Sequence, residues 1–416
     1  MAAQDIETEV LIVGGGMVGL TLGLTLAGAG VETLVLDRQA PAATVEEAYD
    51  GRASAIARGS QLALETAGLW RGMAPQAQPI LDIRVSDGRL WEPASPLFLH
   101  YDHREAGEGP FGFIVENLVI RQALNAAREG CEALTVLAPA ELSEVVRSSA
   151  GVEARLRDGR RIRARLAVGA EGRNSGLRAD AGIRCARWDY PQTGIVCSIA
   201  HAEPHRGVAH EHFLPAGPFA VLPMVDDAEG RHRSSIVWTE RRELVEAMLA
   251  LDDAAFAAEM QRRFGDSLGE IRLLGRRWAY PLSLLHAERY IDRRLVLVGD
   301  AAHGIHPIAG QGLNLGLRDV AALAEALVDA RRLGLDLGSA QVLQRYQRWR
   351  RFDNVMLTVV TDGLNRLFSN DIAPLRLARD LGMAAVGRIA PLKRLLMRHA
   401  MGLEGDLPRL IRGQPL

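Results

Sequence analysis

A glycine-rich turn between an uncharged run and an acid constrains this chain most. Gly14-Gly15-Gly16-Met17-Val18-Gly19 follows the short run Glu9 to Val13, apolar from Val10 onward, and Asp37 stands 18 residues beyond Gly19. This pattern predicts a buried strand, a tight turn, a helix from Met17 to Ala29 and a second strand from Glu32 to Leu36. Gly14 would permit the turn, Gly16 would let a pyrophosphate approach the backbone, and Gly19 would let helix and strand pack closely. The helix start at Met17 and Val18 offers free N–H groups to phosphate. Asp37, with Arg38 beside it, is placed for the hydroxyls of an adenosine ribose. The plain alternative is a Gly-rich turn in a packed helix, but strand, helix and acid at this spacing favour dinucleotide binding. Val10 to Val31 is uncharged and long enough to span a bilayer; its glycines fit a nucleotide turn better.

With 416 residues, the chain needs two domains or one large α/β domain with inserts. Its 48% hydrophobic and 24% charged residues are ordinary for a soluble globular protein. A formal net charge of -2 argues against a nucleic-acid partner. Lys393 is the only lysine. Cys131, Cys185 and Cys197 form no CxxC pair, so zinc ribbons and dithiol motifs are not expected. Scattered cysteines fit a reducing cytoplasm. Met1 to Val10 is acidic and lacks the basic start of a signal peptide.

Further along, Glu116 to Arg128 reads as a helix. Val152–Leu156 and Ile162–Val168 flank Asp158-Gly159 and read as a hairpin. Gly194 to Trp238 reads as an antiparallel sheet over a substrate cavity. Leu295–Val298 is a short strand, followed by a helix from about Gly312 to Arg332 and further helices from Ser339 to the 370s. No repeat, low-complexity tract or linker separates these parts, so the domains are expected to interleave. No second strand-GxGxxG-helix unit occurs, which disfavours a reductase with two dinucleotide domains.

A second tract runs Gly299-Asp300-Ala-Ala-His303-Gly-Ile-His306-Pro307-Ile-Ala-Gly310-Gln-Gly312-Leu313-Asn314-Leu-Gly316-Leu-Arg-Asp319. A buried strand would deliver the Asp300 carboxylate to accept hydrogen bonds from a polyol. Gly310 to Gly312 would open a helix whose N-terminal dipole stabilises negative charge, such as that on a reduced flavin. A helix start with glycines for packing is the alternative. His303 and His306 lack an evident third ligand, so local hydrogen bonding is expected rather than a metal.

The Gly299–Asp319 tract resembles the signature of the ubiquinone-biosynthesis flavin hydroxylases, within the single-component aromatic hydroxylases. The resemblance implies an α/β fold: a glutathione-reductase-like Rossmann FAD-binding domain with an interleaved antiparallel-sheet substrate domain and a helical C-terminal tail. It implies that Asp300 holds the ribitol of FAD, that Gly312 and Asn314 contact the isoalloxazine ring, and that Gly310 and Leu313 also belong to the cofactor site. Pro307 would lie near the flavin's reactive edge. Asp50-Gly51-Arg52-Ala-Ser54 is similar to the segment whose arginine lies beside the FAD pyrophosphate. Pro307 and Arg52 are therefore the residues placed nearest catalysis. Val115-Glu116-Asn117-Leu-Val-Ile-Arg121 resembles a second cofactor contact, through Arg121. Gly169-Ala-Glu171-Gly172-Arg173-Asn-Ser175 resembles a motif for FAD and nicotinamide cofactor, with Glu171 where the family usually has Asp.

The implied cycle uses NAD(P)H to reduce FAD, after which O2 adds at the flavin C4a and the hydroperoxide transfers oxygen to an electron-rich phenol. The expected substrate is a polyprenylated phenol on the way to ubiquinone. A small soluble aromatic, or a non-catalytic FAD-bound subunit of a complex, are the alternatives. Phe213, Phe219, Leu222, Pro223 and Trp238 would line an apolar substrate pocket, or form ordinary sheet core. The expected division gives 1–75, 105–182 and 275–370 to the FAD domain, 76–104 and 183–274 to the substrate sheet, and 371–416 to a helical C-terminal region. There Arg376, Arg379, Arg388, Lys393, Arg394 and Arg398 face only Asp380. This is either a basic amphipathic surface for an anionic membrane or partner, peripheral to the inner membrane, or a helix packed on the FAD domain.

Overall fold

The structure is a computed structural model and describes residues 5–46, 51–90, 98–107, 109–370 and 372–416. Asp50 lies outside the described residues, as do the side chains of Arg376 and Asp380.

One sheet carries the nucleotide-type turn. Its order is Ile291–Asp292, Leu295–Leu297, Arg161–Gly169, Asp5–Val13, Thr33–Leu36 and Leu134–Leu137, with all but the first strand parallel. The central strands are apolar on both faces, as a sheet covered by helices requires. Val152–Leu156 pairs antiparallel with Arg161–Gly169 around the predicted hairpin turn, and Leu142–Arg147 extends this ribbon. The first helix spans Met17–Gly28 and packs on the long helix Gln311–Arg332.

A second sheet orders His303–Gly304, Ile271–Ala287, Cys185–His201, His232–Arg241, Gly217–Met224, Val208–Leu214, Asp82–Asp87 and Leu99–Asp102. The helices Arg242–Leu249 and Asp253–Phe264 cover one face of it. A small third sheet joins Ala53–Ala57, Gly112–Glu116 and Gln78–Ile80.

The expected boundary at 274/275 is corrected. Ile271–Ala287 is one strand of the substrate sheet and pairs along Cys185–His201. Arginines at 272, 276 and 277 mask its pattern, because that end of the strand is largely solvent-facing. The boundary at 75/76 also shifts, since Gln78–Ile80 belongs to the small sheet. The C-terminal part is no loose tail. Ala373–Arg388 and Ala390–Met401 pack on the substrate sheet's end, and Leu410 and Ile411 are buried against Ala63 and Ala321.

Candidate active site

Three parallel strands end in one register row, Val13 beside Gly169 beside Leu297. The three motifs that follow therefore meet at the carboxyl edge of the sheet, where open α/β folds bind ligands. Gly14 has φ +105°, and a Cβ there would stand 2.3 Å from the Ala170 carbonyl oxygen. At Gly19 a Cβ would stand 1.9 Å from the Gly14 oxygen. Gly16 and Gly312, in contrast, face open space. Val18 touches the second tract directly: a Cβ on Gly316 would come within 2.6 Å of it. The two glycine turns, nearly 300 residues apart, are neighbours.

Both turns border one cavity of about 1370 Å³. Gly16, Met17, Val18, Arg52, Gly172, Asp300, Pro307, Gly310, Gly312, Leu313 and Asn314 all line it. The helix Gln311–Arg332 starts at Gly310 with φ +61°, and neither a capping side chain nor an acid occupies its first turn. Its leading N–H groups are thus available to the cavity. Asn314 is fully buried; its Oδ1 accepts from Ala57 N at 2.8 Å and its Nδ2 donates to Ala55 O at 2.7 Å. That amide fastens the small sheet to the long helix.

Gly14, Gly19, Asp37, Arg38, Arg121 and Glu171 stand behind or beside this wall. Asp37 accepts from Gly15 N at 2.6 Å and so braces the turn. Arg38 is exposed at the end of the second strand. Arg121 Nε donates to Thr44 O at 2.7 Å from a buried position. Glu171 requires a correction, because its carboxylate accepts from Ser175 Oγ, Gly176 N and Leu177 N and holds the start of the helix Gly176–Asp180. The polar residue of that motif that reaches the cavity is Arg173. Its guanidinium donates to Asp300 Oδ2 at 3.2 Å and to Ser283 Oγ and O at 2.6 and 2.8 Å. Sequence reasoning missed Arg173; its place within the quoted motif was the only signal.

The two tract histidines bond locally. His303 Nε2 lies 2.5 Å from Asp319 Oδ2. His306 Nδ1 accepts from Ile308 N, and its ring meets Tyr190 edge-on at 5.0 Å.

On the substrate side, Phe213 and Leu222 line the cavity. Phe219, Pro223 and Trp238 do not, which corrects the expected pocket. Strand side chains alternate. Pro218, Ala220 and Leu222 point to the cavity, so Phe219 and Pro223 point away. Likewise Val237 and Thr239 flank a Trp238 that packs on Phe256 at 5.3 Å under the helices. The C-terminal helices close the far side through Met383, Val386, Leu396 and Met397. Three of their basic residues are paired within the protein: Arg379 with Asp87 at 2.9 Å, Lys393 with Glu105 at 2.7 Å, and Arg398 with Glu404 at 3.0 Å. Arg388 and Arg394 are exposed.

A Rossmann turn, an acid on a neighbouring strand end and an uncapped helix start around one large cavity define a flavin-nucleotide protein. Residues 7–352 match the family model described as "FAD binding domain", and the chain belongs to that family. It is 54% identical to ubiquinone hydroxylase UbiL of Rhodospirillum rubrum, over 100% of this chain and 95% of that protein. It is 38% identical to 3-demethoxyubiquinol 3-hydroxylase of Escherichia coli, over 95% and 99%. Its fold is similar to that of p-nitrophenol 4-monooxygenase PnpA from Pseudomonas putida, with a TM-score of 0.77, 20% identity and coverage of 97% and 99%.

Proposed function

We propose that this chain is an FAD-dependent monooxygenase that hydroxylates the aromatic ring of a polyprenylated phenol in ubiquinone biosynthesis, using NAD(P)H and O2. One observation carries the reading: a single large cavity joins both glycine turns to an apolar sheet face. The fit to FAD rests on Gly16 and Gly312, where the wall is open to a ligand. When bound, FAD supplies the redox chemistry, taking electrons from NAD(P)H and activating O2. The chain's residues do the rest. Gly16 and the start of the first helix receive phosphate; Arg52, whose guanidinium lies over the Tyr280 ring at 4.6 Å, borders the same cavity. Asp300, oriented by Arg173, holds hydroxyls of the ribitol. The N–H groups of Gly312 and Leu313, in the first turn of the long helix, would stabilise negative charge on a bound flavin ring. The hydrocarbon lining excludes water from the reacting centre.

An exposed apolar helix face at the cavity supports a route for the prenyl tail of the substrate. In the helix Ala340–Phe368 the usual pattern is inverted between Arg350 and Leu367, while Val342, Leu343, Tyr346 and Phe368 at its ends are buried in the ordinary way. Arg350, Asn354, Thr358, Thr361 and Asn365 are buried, while Phe352, Val355, Met356, Val359, Val360, Leu364 and Leu367 are exposed. Val360, Leu364, Leu367 and Leu396 are exposed and also line the cavity. The cavity mouth thus opens within an apolar patch, continued by exposed Ile389, Leu392 and Leu395 and flanked by Arg388 and Arg394. Among the described residues no helix is long and apolar enough to cross a membrane. The patch is read as resting on an anionic bilayer, peripheral to the membrane, with the tail passing from lipid into the cavity.

Purified protein with FAD, NAD(P)H and a prenylated phenol should yield a product heavier by one oxygen atom. Absence of substrate-dependent NAD(P)H oxidation across quinone precursors would sink the reading. For docking, a Phe352→Ser, Val359→Ser, Leu395→Ser variant should lose co-sedimentation with phosphatidylglycerol vesicles while keeping its flavin. Unchanged co-sedimentation would refute the lipid contact.

A further inference from the structure

The substrate sheet presents one carboxyl to an otherwise hydrocarbon surface. Register aligns Val196, Val237, Ala220, Glu211, Val85 and Leu99 in one row across the strands, and all six line the cavity. Its neighbour His210 fixes the direction of Glu211. His210 meets Phe264 edge-on at 5.1 Å on the helix-covered face, and the two-residue period turns Glu211 to the other side. Phe213, two residues along that face and so about 7 Å away, packs with Ile308 of the loop that carries Pro307. Among the described residues, Glu211 and Asp300 are the acids lining the cavity, and Asp300 is bound by Arg173. No described hydrogen bond or ion pair engages the Glu211 carboxyl.

A half-buried carboxyl without a protein partner on a hydrocarbon wall is costly unless a ligand supplies one. We propose that Glu211 receives the ring hydroxyl of the substrate and takes its proton as the ring is hydroxylated. This assignment rests on the phenol-hydroxylase reading above. In the step, the phenolic O–H bond breaks, the proton goes to a carboxylate oxygen of Glu211, and the electron pair stays on the substrate oxygen. That pair raises electron density at the ortho and para ring carbons, which makes the ring the better nucleophile. The proton passes to water when product leaves.

The apolar surroundings desolvate Glu211 and push its carboxyl up to about 7, which suits a base working near neutrality. Other titratable groups around the cavity leave it this role. Burial pushes Tyr101 up to about 12, so it stays neutral. Arg379 is tied to Asp87. His399 is lowered by burial. His210 borders the cavity, but its ring turns to Phe264 on the helix-covered face, where Arg84 stands beside it in register. Arg52, Arg173 and Arg318 lie along other parts of the cavity wall.

The test compares full-length, FAD-loaded wild type with Glu211→Gln and Glu211→Asp. Glu211→Gln should retain flavin and lose about a hundredfold in kcat. Wild-type turnover should fall as pH drops through about 7, and this acid limb should vanish in Glu211→Gln. A ring-fluorinated prenylphenol, which ionises more readily, should restore much of the lost rate. Glu211→Asp should keep the acid limb and part of the activity. Without NAD(P)H, the Kd of a prenylphenol, read from flavin absorbance, should weaken below pH 7 in wild type and stay flat in Glu211→Gln. Wild-type kcat with an intact acid limb in Glu211→Gln would overturn the assignment, as would equal losses in both variants with no fluorine rescue. If wild type itself hydroxylates no prenylphenol, the functional reading fails instead.

Discussion

His303 Nε2 lies 2.5 Å from Asp319 Oδ2, and both side chains are buried. Asp319 also accepts from Gly299 N at 3.0 Å and from Arg350 Nε at 2.8 Å. One carboxylate thus ties the start of the flavin tract, its first histidine and the inverted helix together.

Burial works to raise the Asp319 carboxyl, but the charges of His303 and Arg350 outweigh it and hold the group low. A lowered acid stabilises the fold above its unfolded value near 3.9, and this support is lost as pH falls through the folded value. Asp319→Asn takes one of two carboxylates from buried Arg350, which keeps only Asp353 at 2.8 Å, and should cost about 3 kcal/mol. Urea unfolding at pH 7 measures this; a change under about 1 kcal/mol would show that the network carries little.

Gly16 and Gly19 should separate in their effects. A side chain at Gly16 meets no protein atom, whereas one at Gly19 collides with the Gly14 carbonyl. Gly16→Val should leave the Tm of flavin-free protein nearly unchanged and weaken FAD binding at least tenfold. Gly19→Ala should lower both. Parallel losses in the two variants would remove the reason for placing phosphate at Gly16.

Asp300→Ala should give protein largely without flavin, because the ribitol loses its carboxylate. Arg173→Lys keeps the charge but loses the fork that joins Asp300 to Ser283. It should bind FAD more weakly than wild type and better than Asp300→Ala. The flavin-to-protein absorbance ratio of purified samples gives the order, and a fully yellow Asp300→Ala protein contradicts it.

The two faces of the substrate sheet should answer differently. Trp238→Ala removes a buried ring from beneath the helices and should cost about 3–5 kcal/mol, with little change in KM for the protein that folds. Leu222→Ala enlarges the cavity wall and should alter KM across prenyl chain lengths more than it alters Tm. Thermal melts and a chain-length series distinguish them, and a KM shift confined to Trp238→Ala would reverse the assignment of faces.

The first strand, turn and helix were legible because glycine geometry and apolar runs are local properties. The hairpin around Asp158-Gly159 was legible for the same reason, as were the long helix and its glycine start. The strand Ile271–Ala287 was not, since its arginine-rich end obeys solvent exposure rather than core pattern. Phe219 and Trp238 looked like pocket residues because hydrophobicity alone does not say which face of a sheet a side chain occupies. Arg173 was hidden in a motif where Glu171 seemed the polar residue that mattered.

By itself, the order of residues determined the class of fold, the cofactor and the positions of two glycine turns, because each is written in a short stretch of backbone-permissive glycine beside a strand. Tertiary structure decided which charges are spent internally, which sheet face borders the cavity, and where an apolar helix face remains uncovered. Those outcomes depend on register and on contacts between segments far apart in the chain, and no local pattern contains them.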